Sequence, residues 1–252
     1  MAVENSAKKS RQGGIMDTVK VVVHALILAM IVRVFLYQPF NIPSGSMKQT
    51  LLIGDYLFVS KFSYGYSKYS IPFSPNLFSG RIWEATPKRG DVAVFKLPTD
   101  NSTDYIKRVI GLPGDRIQMR GGVLFINGKA VPKKRLSDYV ANDYYGNNVR
   151  VPLYEETLPN GVKYMVLDRN PNGSFDNTNV YQVPQGHYFM MGDNRDNSTD
   201  SRVLSQVGYV PLENFVGRAE VIFFSVKEKW SIFKPWNWPY TIRWSRFFKS
   251  IE

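Results

Sequence analysis

The chain has no cysteine among its 252 residues and only two histidines. The first absence excludes thiol catalysis, disulfide bonds and thiolate metal sites. His24 lies in an apolar run and His187 in a strand-like run, so a His-based zinc site lacks ligands. A Ser-His-Asp triad would have to use His187. We therefore expect no metal and no cofactor, and any hydrolytic chemistry must use an unusual base.

Aromatic residues, glycine and proline are plentiful, and so is positive charge. Aromatics make up 14% of the chain, which also has 19 Gly and 15 Pro. This composition predicts a mainly β fold with many turns rather than a helical bundle. The length allows one large or two modest domains with a real core. The formal net charge of +11 indicates an anionic partner, either nucleic acid or the anionic face of a bilayer.

One long apolar stretch, residues 15–36, lies near the N-terminus and reads IMDTVKVVVHALILAMIVRVFL. About 20 helical residues cross the hydrocarbon core, and Lys20 and Arg33 are near enough to the ends to reach the interface. A cleavable signal peptide would be followed by small residues, but Tyr-Gln-Pro follows here. A core helix would be amphipathic, whereas this one is apolar on all sides for three turns. We expect an uncleaved anchor over 15–37, with the basic tail 1–14 in the cytoplasm and the remainder outside.

A segment with two serines, residues 41–55, follows the predicted anchor directly and reads NIPSGSMKQTLLIGD. Pro43 has a fixed φ and biases the residue before it towards an extended backbone, so the entry should be stiff. Gly45 allows a turn, and the hydroxyls of Ser44 and Ser46 flank it. On these residues alone, a simple turn between a helix and a strand is an equally good interpretation.

Strand and turn patterns occupy most of the remaining chain. Residues 62–87 are predicted to be an extended surface loop or hairpin, and Asn127-Gly128 is a strong tight-turn signal. Residues 132–181 are polar and broken by prolines, which favours an inserted β subdomain with long loops. The core would then comprise 38–131 and 182–226. The predicted strands are 51–61, 89–97, 104–115 with a Leu-Pro-Gly-Asp turn at its end, a hairpin over 117–131, 186–191 and 207–226.

A serine hydroxyl attacks a peptide carbonyl only when a base takes its proton, and lysine is the base that remains. An exposed lysine titrates near pH 10.4, and burial can lower that pKa by about 3 to 5 units. The catalytic lysine should therefore lie in an apolar strand. Lys107 fits, since alternation sends Arg108 to the opposite face. Lys48 and Lys96 are competing candidates, although Lys48 is too close along the chain to meet Ser46 easily.

A third polar segment, residues 192–202, reads GDNRDNSTDSR. Its Asp, Asn and Ser side chains suit hydrogen bonds to the backbone that would make a loop rigid. Asp200 and Arg202 are two residues apart, so they share a face if the segment is extended. A purely structural turn explains the segment equally well in isolation.

Taken together, PSGSM, RGDVAVF, YIKRVIGLPGD and GDNRDNSTDSR resemble the motifs of type I bacterial signal peptidases (leader peptidases), a family of Ser-Lys dyad serine proteases. The resemblance extends from the anchor to about residue 226. It implies an antiparallel β-sheet catalytic core with an inserted β subdomain, preceded by one transmembrane helix. Better-studied members often have two N-terminal membrane segments, whereas one is found here. The implied activity is removal of signal peptides from exported preproteins.

The resemblance also implies roles for individual residues. Ser46 would be the nucleophile and Lys107 the general base, with the Ser44 hydroxyl and the Ser46 backbone N–H forming the oxyanion hole. Ser198 would orient the lysine, and Asp200 and Arg202 would be a supporting ion pair. The residues implied to line the shallow substrate pockets are Phe40, Ile42, Pro43, Met47, Leu51, Tyr105 and Ile106.

The C-terminal segment 227–252 contains four of the five tryptophans, interleaved with Lys and Arg. This mixture suits the lipid headgroup layer and also nucleic acid. Given the predicted anchor, we favour membrane contact and expect no nucleic-acid partner. The expected partners are signal peptides of secreted preproteins, membrane lipid and an export translocon, at the bacterial inner membrane.

Two other functions stay open from the sequence. One is a Ser-Lys processing peptidase dedicated to a single secretion partner, such as a pilin. The other is a non-catalytic, membrane-tethered β-domain that binds exported chains.

Overall fold

The N-terminal helix stands apart from the rest of the fold. The computed structural model describes residues 2–142, 148–170, 172–227 and 230–251. Helix α1 spans Ala2–Phe35, and its part Gly14–Phe35 is long and apolar enough to cross a membrane, with a mean hydropathy of 2.1. None of that apolar stretch is buried inside the structure. The helix is therefore not a core helix, in agreement with the sequence argument.

Strands dominate everything after α1, so the mainly β prediction is confirmed. A short helix, α2, spans Trp238–Thr241. The strands are β1 Tyr37–Asn41, β2 Asp55–Ser60, β3 Val92–Lys96, β4 Asp104–Gly111, β5 Arg116–Arg120, β6 Val123–Ile126, β7 Lys129–Ala130, β8 Lys133–Arg135, β9 Tyr139–Asn142, β10 Asn148–Val151, β11 Leu153–Thr157, β12 Lys163–Leu167, β13 Tyr181–Gln182, β14 His187–Met191, β15 Val210–Pro211, β16 Phe215–Ser225 and β17 Lys249–Ser250.

The largest sheet has eight strands in the order β1-β2-β16-β3-β4-β14-β15, with β17 added beside β16, and its pairings are antiparallel. Register shifts interrupt β16 against both β2 and β3, and β14 against β4. Such bulges increase twist and bend a sheet.

Both faces of the large sheet are covered. On β3, Val92 and Val94 pack into a core cluster with Met47 and Leu51, while Ala93 and Phe95 pack into a different cluster. This alternation is the period of two that a strand imposes. It explains why RGDVAVFKL reads as a nearly continuous apolar run.

Three smaller sheets complete the described fold. One has the order β12-β11-β8, another pairs β9 with β10, and the third has the order β13-β5-β6-β7. Strands β8 to β12 lie within the segment 132–181, which we continue to propose as an inserted subdomain. Asn127 and Gly128 connect β6 to β7 with φ of 54° and 80°, the two positive values that a tight type I′ turn requires.

Two predicted strands are shorter than expected. The predicted strand 51–61 begins only at Asp55, because Gly54 has φ of +86° and the Asp55 carboxylate accepts the backbone N–H of Leu52. The predicted strand 207–226 is interrupted by a 3-10 turn, Leu212–Asn214, which separates β15 from β16. In both places local hydrogen bonds of turns replace the sheet pairing that the apolar pattern predicted.

Candidate active site

Ser46 and Lys107 meet at the centre of the candidate site. Ser46 lies in the turn after β1, and Lys107 lies in β4. The Lys107 Nζ is 2.8 Å from the Ser46 Oγ and 2.9 Å from the Ile106 carbonyl oxygen. Ser46 is 8% exposed and Lys107 is 4% exposed. A hydroxyl and an amine are therefore in hydrogen-bond contact, almost without access to bulk water.

The environment of Lys107 favours its neutral form. Burial lowers the pKa of Lys107 from 10.5 to about 8, although the negative charges of Asp200 and Asp193 act to raise it. An amine with a pKa of 8 is neutral in about one molecule in ten at pH 7, against roughly one in a few thousand for an exposed lysine. The site therefore supplies a base that can accept a proton near neutral pH.

The Ser44 hydroxyl lies beside the Ser46 hydroxyl, with 3.4 Å between the two Oγ atoms. Ser44 is exposed, whereas Ser46 is buried. The Ser44 hydroxyl is therefore a hydrogen-bond donor on the open side of the nucleophile, where the oxyanion would develop. The geometry is thus compatible with the predicted oxyanion hole, which stays a proposal.

A groove of about 350 Å³ opens beside the two serines. Three of the predicted substrate-pocket residues, Pro43, Tyr105 and Ile106, line it. The others are not among its lining residues: Ile42, Met47 and Leu51 are buried in a core cluster, and the partly buried Phe40 packs against that cluster. The remaining lining residues are Ser44, Gly45, Ser46, Asp104, Lys107, Asn197 and Thr199.

Asp200 and Arg202 form a buried ion pair, as the family resemblance implied. The Arg202 Nε is 2.8 Å from Asp200 Oδ1, and the Arg202 Nη2 is 2.9 Å from Oδ2. Burial opposes the charged form of Asp200, yet the Arg202 guanidinium and the Gly192 N–H hold the pKa of this carboxyl below its usual value. Arg202 also donates to the Arg195 carbonyl at 2.7 Å, which fixes the loop 192–202 internally.

Ser198 does not form the hydrogen bond that was expected of it. Its buried Oγ makes no hydrogen bond of good geometry within the described part of the chain, although Ser198 acts to lower the pKa of the neighbouring Asp200 carboxyl. It packs instead against Gly192, where an added Cβ would lie 2.2 Å from the Ser198 Oγ and 2.6 Å from the Ser46 carbonyl oxygen. Glycine is therefore required at position 192 by close packing. A role for Ser198 in orienting Lys107 stays a proposal.

Asn194 contacts the nucleophile segment directly, and the sequence did not single it out. Its backbone N–H donates to the Ser46 carbonyl at 3.0 Å, and its Nδ2 donates to the Gly45 carbonyl at 2.9 Å. These two bonds attach the loop 192–202 to the residues on either side of the Gly45–Ser46 peptide bond. The signal available was the Asn-rich composition of GDNRDNSTDSR, which does not identify the partner.

Two buried ion pairs support the same loop. Arg108 binds Asp193 through two hydrogen bonds of 2.9 and 2.8 Å, and Arg195 binds Glu156. The Tyr164 hydroxyl donates to Glu156 at 2.6 Å. Removing one partner of such a pair costs about 3–5 kcal/mol, since the other charge is left buried. Sequence reasoning missed these residues because they come from distant parts of the chain.

The competing bases are engaged elsewhere. The Lys96 ammonium pairs with Asp104 at 2.9 Å, and the Lys48 ammonium lies 5.6 Å from the centre of the Tyr139 ring. The His187 ring contacts the Gln185 carbonyl, and the His24 ring contacts the Lys20 carbonyl within α1. Lys107 is therefore the base that the described structure brings to Ser46.

A buried serine–lysine pair beside a groove on an antiparallel sheet is an arrangement suited to a hydrolase that performs acyl transfer with lysine in place of histidine. The sequence matches the model of the family described as "Signal peptidase, peptidase S26" over residues 15–224. The chain belongs to this signal peptidase family.

Curated relatives and a solved structure are similar to the chain. Signal peptidase I of Rickettsia typhi and that of Rickettsia prowazekii are each 42% identical over 241 residues, which cover 89% of this chain and 89% of each relative. Signal peptidase I of Rickettsia conorii is 41% identical, with 89% and 88% covered. The crystal structure of a signal peptidase I from Enterococcus faecalis V583 has 26% identity and a TM-score of 0.30, covering 53% of this chain and 97% of that one.

Membership of this family confirms three predictions. They are the family itself, the enzyme class (serine endopeptidase) and the removal of signal peptides. The relatives do not favour the two alternative functions, a peptidase dedicated to one secretion partner and a non-catalytic binding domain. The exposed apolar helix Gly14–Phe35 fits the predicted membrane anchoring.

Proposed function

We propose that the chain removes signal peptides by acyl transfer, with Ser46 as the nucleophile and Lys107 as the general base. The observation that carries this proposal is the 2.8 Å contact between the Lys107 Nζ and the Ser46 Oγ. The lowered pKa of Lys107, about 8, supports it, because a general base must be unprotonated to act.

The proposed cycle has two halves. Neutral Lys107 takes the Ser46 proton while Oγ bonds to the scissile carbonyl carbon, and the Ser44 hydroxyl with the Ser46 N–H stabilises the oxyanion. The C–N bond then breaks, and the protonated Lys107 gives its proton to the leaving amine. In the second half, Lys107 accepts a proton from water while the water oxygen bonds to the acyl carbon. The C–Oγ bond of the ester then breaks, and Lys107 returns the proton to Ser46 Oγ as the carboxyl product leaves.

The substrate is proposed to bind as an added strand. Strand β14 pairs with β4 only at positions 108–111, whereas β3 pairs with β4 along 104–108. On the β14 side, residues 104–107 are therefore outside the pairing of the described strands, and they line the groove. An extended peptide could pair its backbone there and present alternate side chains to the walls formed by Pro43, Tyr105 and Ile106. The groove is small, which favours small side chains next to the cleaved bond.

The anchor and the C-terminal segment are proposed to hold the groove at the membrane surface. Helix α1 ends at Phe35, so the nucleophile follows the anchor by about ten residues. In the C-terminal segment, Phe233, Trp236, Trp244 and Phe248 are exposed large apolar side chains. Aromatic side chains next to basic ones favour the headgroup layer. We therefore propose membrane lipid as a partner and keep an export translocon as a candidate.

The proposed location is the bacterial inner membrane, with a single span and the catalytic region on the outer side. The basic tail before the anchor supports this orientation, because positive charge is retained on the cytoplasmic side. Protease treatment of sealed right-side-out vesicles checks it. The catalytic region should be digested without detergent, and full protection would contradict the orientation.

Cleavage of a preprotein by the purified protein tests the proposed chemistry. Wild type should release a mature chain whose new N-terminus, read by mass spectrometry, lies at the signal-peptide junction. Ser46→Ala should show no turnover, and Ser44→Ala should lose about 10²–10³ in kcat, as one oxyanion donor does. Unchanged cleavage by Ser46→Ala would overturn the proposal. Cleavage of a panel of unrelated preproteins would distinguish a general signal peptidase from a peptidase dedicated to a single secretion partner.

A further inference from the structure

A cluster of three carboxylates lies outside the groove, where the segment after β12 meets the loop 192–202. Its members are Asp168, Asp176 and Asp196, and one carboxylate oxygen from each lies within 4.8 Å of the other two. Asp168 and Asp176 are buried, at 3% and 2% exposure, and Asp196 is exposed. Three negative charges this close repel one another unless a cation is shared between them.

The buried Asp168 has one oxygen without a partner. Its Oδ2 accepts a hydrogen bond from the Lys133 ammonium, but its Oδ1 has none among the described residues. A buried carboxylate oxygen without a donor is costly, and such exceptions need an explanation, of which an ion is one. Lys133 supplies a single positive charge against three negative ones, so the cluster keeps an excess of two negative charges.

The sequence around the cluster independently has the form of a calcium loop. Residues 168–176 read DRNPNGSFD, which matches the start of the pattern D-x-[DN]-x-[DN]-G. Asp168 takes the first position, Gly173 the sixth and Asp176 the ninth, where calcium loops place a ligand. The twelfth position, normally Glu, is Asn179 here. Asp196 brings a further carboxylate to the cluster from another part of the chain.

Gly173 keeps space open between two of the carboxylates. An added Cβ there would lie 2.8 Å from Asp196 Oδ1 and 3.2 Å from Asp176 Oδ2. Oxygens that share one Ca²⁺ at 2.3–2.6 Å can be up to about 5 Å apart, so the observed spacing fits a single calcium ion. We propose that Asp168, Asp176 and Asp196 form a calcium-binding site.

The site would connect the proposed inserted subdomain to the loop of the candidate active site. Asp196 Oδ2 already accepts the N–H groups of Arg169 and Asn170, and its neighbour Asn197 lines the groove. A calcium ion would add a further link between these two segments and stabilise the loop. Because Lys133 neutralises part of the negative charge, we expect a Kd on the order of 10⁻⁴–10⁻³ M, as in extracellular calcium modules.

The test uses the full-length protein in detergent after chelator treatment. Calorimetric titration with CaCl₂ should give a saturable isotherm, and Ca²⁺ at about a hundred times Kd should raise Tm by about 5 °C or more. MgCl₂ at the same concentration should give at most a third of that shift, because Mg²⁺ requires shorter and more regular coordination. NaCl of matched ionic strength is the control for screening.

Matched Asp→Asn variants decide where the ion binds. Asp176→Asn keeps an oxygen for the Gly173 N–H but removes one charge, and it should abolish most of the calcium-induced rise in Tm. Asp196→Asn, at an exposed position, provides the same test if the first variant does not fold. Asp138→Asn is the control, since Asp138 lies in the same proposed subdomain and pairs with Arg135 outside the cluster.

The outcomes are distinguishable. A calcium-induced rise that is lost in Asp176→Asn or Asp196→Asn and kept in Asp138→Asn supports the site. No isotherm and no change in Tm at 10-fold the upper expected Kd would overturn it, as would equal responses in all the variants. Equal shifts with Mg²⁺ and Ca²⁺ would overturn the assignment to calcium.

Discussion

Two buried lysines of this molecule have pKa values lowered to about 8, yet their surroundings differ in one decisive respect. Burial is the largest cause of the lowered pKa of both Lys107 and Lys61, and the positive charge of Arg33 lowers the pKa of Lys61 further. Lys107 donates to the Ser46 hydroxyl, which lines a groove. Lys61, at 1% exposure, donates to the backbone carbonyl of Ser70. A carbonyl oxygen has no proton to give up, whereas a hydroxyl has one.

The comparison separates two requirements for a base. Lowering the pKa makes a lysine able to accept a proton, and both sites do so. Catalysis also requires a neighbour that carries a proton and can reach a substrate, and of the contacts described for the two lysines only that of Lys107 provides one. Lys61 instead lies where the sheet meets the anchor, since its backbone N–H donates to the Leu36 carbonyl at 3.0 Å. The comparison therefore supports the proposed catalytic role for Lys107 and a structural role for Lys61.

The sharpest way to break this comparison is to replace each lysine by methionine, which keeps most of the buried volume and removes the amine. Lys107→Met should lower kcat/KM for a preprotein by about 10⁴-fold or more, because the nucleophile loses its base. Lys61→Met should stay within about threefold of wild type. Both variants should fold, as judged by Tm. Retention of a tenth of the activity by Lys107→Met would remove the distinction between the two lysines.

A second test asks whether the Ser46 hydroxyl must be held accurately beside Lys107. Gly192→Ala puts a Cβ against the Ser198 Oγ and the Ser46 carbonyl oxygen, so the nucleophile segment must shift. A misplacement of about 1 Å costs on the order of 10²-fold in rate, and we expect a loss of that size in kcat. Gly161→Ala is the control: it has left-handed φ of +86° but no atom within 4 Å of the added Cβ. It should lower Tm modestly and leave kcat unchanged, and a similar kcat loss in both variants would contradict the packing argument.

The sequence predicted the parts of this site that lie close together along the chain. The anchor, the mainly β fold and the Asn127-Gly128 turn follow from periodicity and turn chemistry. The apolar strand made Lys107 a candidate base beside Lys48 and Lys96, and the family resemblance implied the choice among them. The spacing of Asp200 and Arg202 put them on one face of an extended segment, and the family resemblance implied the ion pair that they form.

The contacts made across the fold could not be predicted in the same way. Glu156 and Tyr164 lie in a polar segment with no local sign that they would be buried with Arg195. Asn194 reaches Gly45 across 149 positions of sequence. The close packing of Ser198 against Gly192 also has no local sign in the sequence. Such pairings depend on sheet order and on loop closure, which a single sequence does not specify.

The pH dependence of turnover sharpens the comparison further. Only the neutral form of Lys107 can accept the Ser46 proton, so kcat/KM should rise as pH increases through about 8. Between pH 7 and 9 the neutral fraction grows from about one tenth to about nine tenths, which predicts a rise of about tenfold. Lys61→Met should show the same midpoint, measured with a peptide substrate that does not titrate in this range. A midpoint near pH 10, or one that moves in Lys61→Met, would assign the profile to another group.

The smallest expected effect is on stability, and Lys61→Met is the variant that measures it. Its pKa is about 8 in the folded chain and near 10.4 when unfolded, so between these values the unfolded state binds more protons and stability rises with pH. Below pH 8 the fold must hold a buried ammonium, and Lys61→Met should relieve that cost. We expect the variant to be more stable than wild type by about 1–3 kcal/mol at pH 7, a few degrees in Tm, less the contribution of the lost bond to Ser70.

That advantage should decline as pH rises from 8 to 10, because the wild-type lysine is then neutral in the fold. Thermal unfolding of both proteins in detergent at pH 7, 8, 9 and 10 measures the difference in stability between Lys61→Met and wild type. Groups that titrate equally in the two proteins do not contribute to this difference. Lys107→Met should follow the same trend, since the pKa of Lys107 is lowered by the same cause. A constant difference across this range would show that Lys61 is charged in the fold at every pH tested. The two lysines would then differ in pKa as well as in their neighbours, and of the two only Lys107 would have a lowered pKa.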